Sequence, residues 1–181
     1  MKKFGSLLIL LALVACSSNK KPEVSEEISM PEPEIRTDNL ICPQVAILRQ
    51  ADEEFDYGGE KPDVTQFVAK ASLKQIKGDC AYRKDEDDPT GIDISFKVRV
   101  SAMKGPRLGG NQISFPYFIA VVDPSDAVLQ RQVLTAQFRF TGDSKVAEIE
   151  EPLHVFIPVS AKNLITGPSY RVLIGFTKSS R

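Results

Sequence analysis

The chain has one histidine, three cysteines and almost no net charge, with 23 basic against 24 acidic residues in 181. Each shortage excludes something. His154 stands in an alternating apolar/polar stretch with no sequence constellation that reads as its nucleophile, so catalysis by the usual general base has no visible partners. Near-neutral charge leaves no long-range field to steer the chain toward nucleic acid. Long apolar runs are also missing. Phe4 to Ala15 supplies about a dozen apolar residues, short of the roughly 20 needed to span a bilayer, and no stop-transfer segment follows. No stretch shows a convincing amphipathic helical period.

The start of the chain carries the clearest signal. Lys2 and Lys3 precede the apolar run, and Leu13-Val14-Ala15-Cys16 closes it, a pattern that reads as a lipoprotein signal over residues 1–15. It is similar to that of bacterial lipoproteins generally, which implies cleavage before Cys16, diacylation of its sulfur and acylation of its new amine. Two or more acyl chains anchor stably where one does not, at about 0.8 kcal/mol per buried methylene. Residues 16–39, with the lipidated cysteine at their head, are rich in Ser, Glu, Lys and Pro and poor in large apolar residues, so a flexible, disordered tether is expected. As a coil it would reach roughly 25 to 30 Å on average, and about 80 Å at full stretch. With Cys16 consumed by lipid, Cys42 and Cys80 remain as an even pair in an exported chain, and a structural disulfide closing roughly 40 residues is predicted. A metal or redox pair is the weaker reading, because the two are not in a Cys-x-x-Cys arrangement.

One domain is expected over residues 40–181. Ile41 to Leu48 reads as a short edge strand after Pro43, and acidic residues 52–63, with Gly58, Gly59 and Pro62, read as a loop. Phe67, Ala69, Ala71 and Leu73 then alternate with polar positions. The apolar phase slips by one residue between Leu73 and Ile76 before Cys80 and Tyr82, which predicts a β-bulge. Beyond a charged loop near residues 83–90, Ile92, Ile94, Phe96, Val98 and Val100 alternate without fault. Phe115 to Val122 is apolar on both faces, as in an inner strand. Asp123-Pro124-Ser125-Asp126 is a turn, and Leu134 to Phe140, Leu153 to Ile157 and Tyr170 to Lys178 complete the set. The expectation is an all-β, antiparallel sandwich of six or seven strands.

Leu164-Ile165-Thr166-Gly167-Pro168-Ser169-Tyr170 resembles the tyrosine corner of immunoglobulin and fibronectin type III sandwiches, with Leu164 and Tyr170 as its signature. That resemblance implies an immunoglobulin-like Greek key. Such domains carry one more strand after the one this tyrosine opens, whereas eleven residues remain from Arg171. Either the last strand is missing or the early segment near Val45 covers that edge.

Three further groupings have chemical readings beside plainer ones. Asp85 to Asp88 lacks the spaced ligands and mid-loop glycine of a calcium loop and reads as a solvated turn, so no metal is expected. Lys104, Gly105, Arg107, Gly109 and Gly110 fit no phosphate-loop spacing and precede strand rather than helix, so the Lys104–Asn111 loop is read as a flexible end of the sandwich. Phe115, Tyr117 and Phe118 could present an aromatic platform, though core packing is the stronger reading. A hydrolase would need Asp56 with Glu60, or Asp87 with Asp93, to meet across a cleft.

Cys42-Pro43-x-Val45, Cys80 before an acidic turn, and Phe115-Pro116-Tyr117-Phe118-x-Ala120-Val121-Val122-Asp123-Pro124 together resemble a group of small, functionally uncharacterised envelope lipoproteins of proteobacteria, over most of residues 41–178. The shared motifs are structural, which implies the disulfide and the sandwich and carries over no catalytic residue. Ser17 after Cys16 resembles lipoproteins sorted to the outer membrane, which implies its periplasmic face. The expected function is a non-enzymatic interaction module, without cofactor, that meets another envelope protein through sheet edges or end loops and the membrane through the lipid on Cys16. The alternative is a binding domain for a small envelope ligand such as glycan or lipid.

Overall fold

The computed structural model describes residues 40–59, 62–83 and 90–178. Cys16, the tether and the Asp85–Asp88 run lie outside these residues. Eight strands follow in order: β1 (Gln44–Ile47), β2 (Glu53–Asp56), β3 (Ala69–Arg83), β4 (Gly91–Lys104), β5 (Gln112–Val122), β6 (Val128–Arg139), β7 (Val146–Pro158) and β8 (Arg171–Phe176). They form two four-stranded sheets, ordered β1-β8-β5-β6 and β2-β3-β4-β7. The regular helices among the described residues are short 3-10 segments, Val64–Gln66 and Ala161–Ser169.

The alternating residues of β4 explain why the sheets stack. Ile92, Ile94, Phe96, Val98, Val100 and Ala102 all turn inward and are buried. Phe115, Tyr117, Ile119 and Val121 meet them from β5, with Val172, Ile174 and Phe176 from β8. Phe115 packs edge-on against Phe138 and Phe176, with ring centroids 6.3 and 6.1 Å apart. Burying one such side chain contributes about 1.5–3 kcal/mol, so this shared interior is what ties the sheets together.

The connectivity is that of an immunoglobulin-like Greek key. Taking β3 as strand A, the sheet β3-β4-β7 has the A-B-E order, and β6-β5-β8 has the order C′-C-F. The place beside F belongs to strand G. Here β1 fills it, running parallel to β8 with Val45 opposite Val172 and Ile47 opposite Ile174. The early segment therefore covers this edge of β8 among the described residues.

Two expectations need correction. The sandwich has eight strands rather than six or seven, and the segment read as a loop over 52–63 contains β2, antiparallel to the start of β3. Glu53, Glu54 and Asp56 concealed it, because an edge strand with one wet face can be almost wholly acidic. The bulge falls where the phase slip placed it, between Leu73 and Gln75. β6 also begins well before Leu134, since Val128 to Val133 are exposed and have no buried face to impose an alternating pattern.

Candidate interaction surface

A two-sheet sandwich has four edges, and three of these are protected. β1 and β2 are four residues each. β7 carries Glu148, Glu150 and Glu151 followed by Pro152, with Glu151 partly buried and opposite the inward-facing Val98. Short strands, proline, charge and inward-pointing charge all discourage pairing with another chain. The part of β3 that β2 leaves unpaired bears Lys74, Lys77, Asp79 and Arg83 and is tied down by the Cys42–Cys80 disulfide.

β6 is less protected: it carries two arginines and a bulge at Leu129, where its pairing with β5 shifts register. It is 12 residues long, contains no proline, glycine, lysine or acid, and has β5 as its sheet neighbour on one side and, among the described residues, no strand on the other. Its two charges are drawn back over β5. The Arg131 guanidinium lies 4.8 Å from the Phe118 ring centroid, and Arg139 donates to the amide oxygen of Gln112 in the orientation that satisfies both groups. Val128, Leu129 and Val133 are 61%, 53% and 54% exposed. Residues 128–133 are thus exposed on both faces as well as along the edge.

This projecting arm is held in shape by its turn. One carboxylate oxygen of Asp123 accepts from the Ser125 amide and hydroxyl and from the Ala127 amide, at 2.7–2.9 Å. These hydrogen bonds, the Ser125 side chain's first, hold the Asp123 carboxyl below its usual range. Asp126 takes a left-handed φ of 70° and pairs with Arg171 at the start of β8. The apolar edge is therefore presented on a fixed ribbon rather than on a loose loop.

The disulfide joins Cys42 to Cys80, with Cα atoms 5.7 Å apart. Tyr170 immediately precedes β8, half-buried against the core, and its amide donates to the Gly167 carbonyl; the Leu164 side chain lies outside the described set. The long-range tyrosine hydrogen bond that sequence reasoning missed is made by Tyr82, whose hydroxyl donates to the Ile41 carbonyl at 2.7 Å. Its signal was present, a tyrosine two residues after a disulfide cysteine, but no pattern points to a carbonyl 41 positions away.

His154 is more engaged than its sequence suggests. Its Nε2 lies 2.8 Å from Asp93 Oδ1, and Arg83 pairs with the other Asp93 oxygen, so a side chain that is only 12% exposed sits between two partners on the outer face of β3-β4-β7. Ser95 is opposite His154 in register, but the described hydrogen bond of the imidazole goes to Asp93. Asp87 and Glu60 lie outside the described residues. Asp56 accepts from the Gly58 amide. Lys104 and Arg107 each donate to a backbone carbonyl, of Gly110 and Thr65, which spends them on tying the end loop. No group of three or more His, Cys, Asp or Glu among the described residues could hold a metal ion.

Phe115 and Tyr117 pack in the core, so they form no platform with Phe118. An open depression of about 560 Å³ lies over Gly78 and is lined in part by Lys77, Lys97, Pro152 and His154. Tyr117 is fully buried, and its hydroxyl has no partner at hydrogen-bonding geometry. Burial, and after it the Glu151 carboxylate, push this phenol well above its usual range. Removing a buried unpaired hydroxyl costs little, so Tyr117→Phe is expected to leave stability unchanged or raise it by up to about 1 kcal/mol in urea unfolding. Above about pH 10 the unfolded tyrosine ionises while the folded one keeps its proton, so wild-type stability falls with rising pH and the variant's falls less. A loss of more than about 1 kcal/mol at neutral pH would show that the hydroxyl is paired after all.

Among the described residues no helix is long and apolar enough to cross a membrane. No protein-family model, curated protein or solved structure matches this chain.

Proposed function

We propose that this chain is a lipid-anchored, non-enzymatic interaction module of the cell envelope, held through Cys16 at the periplasmic face of the outer membrane, and that it binds by adding a partner's strand to β6. The Leu13-Val14-Ala15-Cys16 sequence supports the anchor and Ser17 the membrane. The observation that carries the binding reading is the asymmetry of the edges among the described strands: three are protected, and β6 is long and open with Val128, Leu129 and Val133 exposed. Unpaired amides and carbonyls of an edge strand supply main-chain hydrogen bonds to an extended segment, and exposed aliphatics select its side chains. The partner segment is therefore extended, with aliphatic residues at alternate positions to meet Leu129 and Val133.

The test is photo-crosslinking in intact cells from a probe at Gln132 of the full-length chain, with mass spectrometry of the adducts. One envelope protein should dominate, and Leu129→Lys with Val133→Lys should reduce its capture at least tenfold while the unfolding midpoint stays put. Surface changes of this kind shift stability by about 0.5 kcal/mol or less. Capture that survives both lysines, or that depends instead on His154, would remove β6 from the account.

A further inference from the structure

The slot beside β8 is filled by a weak strand held by a strong latch. β1 contributes four residues in parallel pairing, the slightly less stable kind, at a sheet edge. Two more hydrogen bonds extend it: Leu48 N–H donates to the Ile174 carbonyl, and Phe176 N–H to the Ala51 carbonyl. Val45 and Ile47 pack against the core, and just upstream Cys42 is bonded to Cys80 while the Ile41 carbonyl accepts from the Tyr82 hydroxyl, both partners on β3 of the opposite sheet. Cys42 is exposed to solvent, so a reductant can reach the bond.

We propose that the edge of β8 is a strand-acceptor site, that the Cys42–Cys80 bond keeps it occupied by the chain's own β1, and that reduction lets two copies exchange β1 strands and form a closed dimer. The occupant is a second copy because the slot is matched to this strand. Val45 and Ile47 pack against the core from β1, opposite Val172 and Ile174, and β1 carries no charge. Every copy has one slot and one β1, so exchange between two copies satisfies both and stops there. Residues Leu48 to Asp52 are the hinge. Opening it breaks the Ala51 N–H to Leu48 carbonyl turn bond together with the bonds that tie Leu48 and Ala51 to β8 and Asp52 to Leu73, and lets the five residues span roughly 16 Å at about 3.3 Å per residue.

The reductive step balances. A dithiol thiolate attacks one sulfur of the Cys42–Cys80 bond, and its second thiol resolves the mixed disulfide. Two electrons and two protons pass to the cysteines, and the dithiol leaves as its own disulfide. On reoxidation by oxidised glutathione, Cys42 of one copy lies against Cys80 of the other, so the exchanged dimer records itself as an interchain bond.

The experiment mixes ¹⁵N-labelled and unlabelled full-length chain, reduces them with dithiothreitol under native conditions, restores oxidised glutathione, and separates the products on a non-reducing gel. A Cys16→Ser form run in parallel removes any contribution from that thiol. A labelled-to-unlabelled Cys42–Cys80 linkage in a dimer band, at least tenfold above the never-reduced control, is the expected result. Exchange by way of the slot also requires that Val45→Asp with Ile47→Asp lower the dimer yield, since neither side chain then fits. If the linkage returns within single chains only, the proposal is overturned. It is equally overturned if the aspartate variant dimerises as much or more, because that is random pairing of unfolded chains. Circular dichroism of the reduced protein separates the cases: retained strand signal with dimer supports exchange, and lost strand signal with dimer refutes it. Capture at β6 uses the opposite end of the same sheet, so either proposal can fail alone.

Discussion

Replacing Cys42 and Cys80 with serine is expected to lower the unfolding free energy by about 4 kcal/mol. The bond closes a loop of 38 residues, and removing that closure returns about this much entropy to the unfolded chain on the chain-entropy model. Such a loss is a large part of the 5–15 kcal/mol by which domains are generally stable. Urea unfolding with and without reductant measures it: wild type in dithiothreitol should match the double serine variant. The loss should appear as a lower midpoint. The slope should rise, because the unlinked unfolded chain exposes more surface. A midpoint unmoved by reductant would mean that β1 and the first sheet hold without their covalent tie, and the latch described for β8 would have nothing to release.

Gly78→Val should be strongly damaging although Gly78 is solvent-exposed, because its side chain would enter on the same face as inward-turned Phe96, with a loss of about 3 kcal/mol or more. Gly78 is opposite Phe96 in register, and a Cβ there would lie 2.3 Å from Phe96 Cβ, 2.5 Å from the Ser95 carbonyl oxygen and 2.7 Å from Phe96 Cα. Those neighbours are backbone or bonded to it, so the clash is relieved only by parting β3 from β4. Overpacking generally costs 1–3 kcal/mol, and more where the backbone has to move. The control is Gly109→Ala, whose new Cβ meets nothing within 4 Å and should change stability by about 0.5 kcal/mol or less. Thermal or urea unfolding of both variants decides it. Equal stabilities would mean that β3 and β4 separate easily at this point, and the depression over Gly78 would then be an adaptable surface.

These sites differ in how far they could be read in advance. The class of fold was legible because β4 alternates without interruption, and a half-buried strand writes its two faces into the sequence. The bulge was legible for the same reason, since a one-residue slip changes which residues face inward. β2 and the first half of β6 were not, because neither has a fully buried face, and without burial no apolar period is imposed. Gly78 gave no sign either: a glycine within a strand signals close approach only when its neighbour across the ladder is known.

The sequence by itself determined the all-β class, the pairing of Cys42 with Cys80 and the inward rows of the core. All of these depend on residue type or on spacing along one strand, which the chain carries locally. Only the tertiary structure decided which strands became edges, that β1 fills the place of strand G beside β8, that Asp93 is shared by Arg83 and His154, and that β6 alone among the described strands is left open. Those are properties of neighbours brought together from dozens of positions apart, and an edge is defined by the strand that is not there.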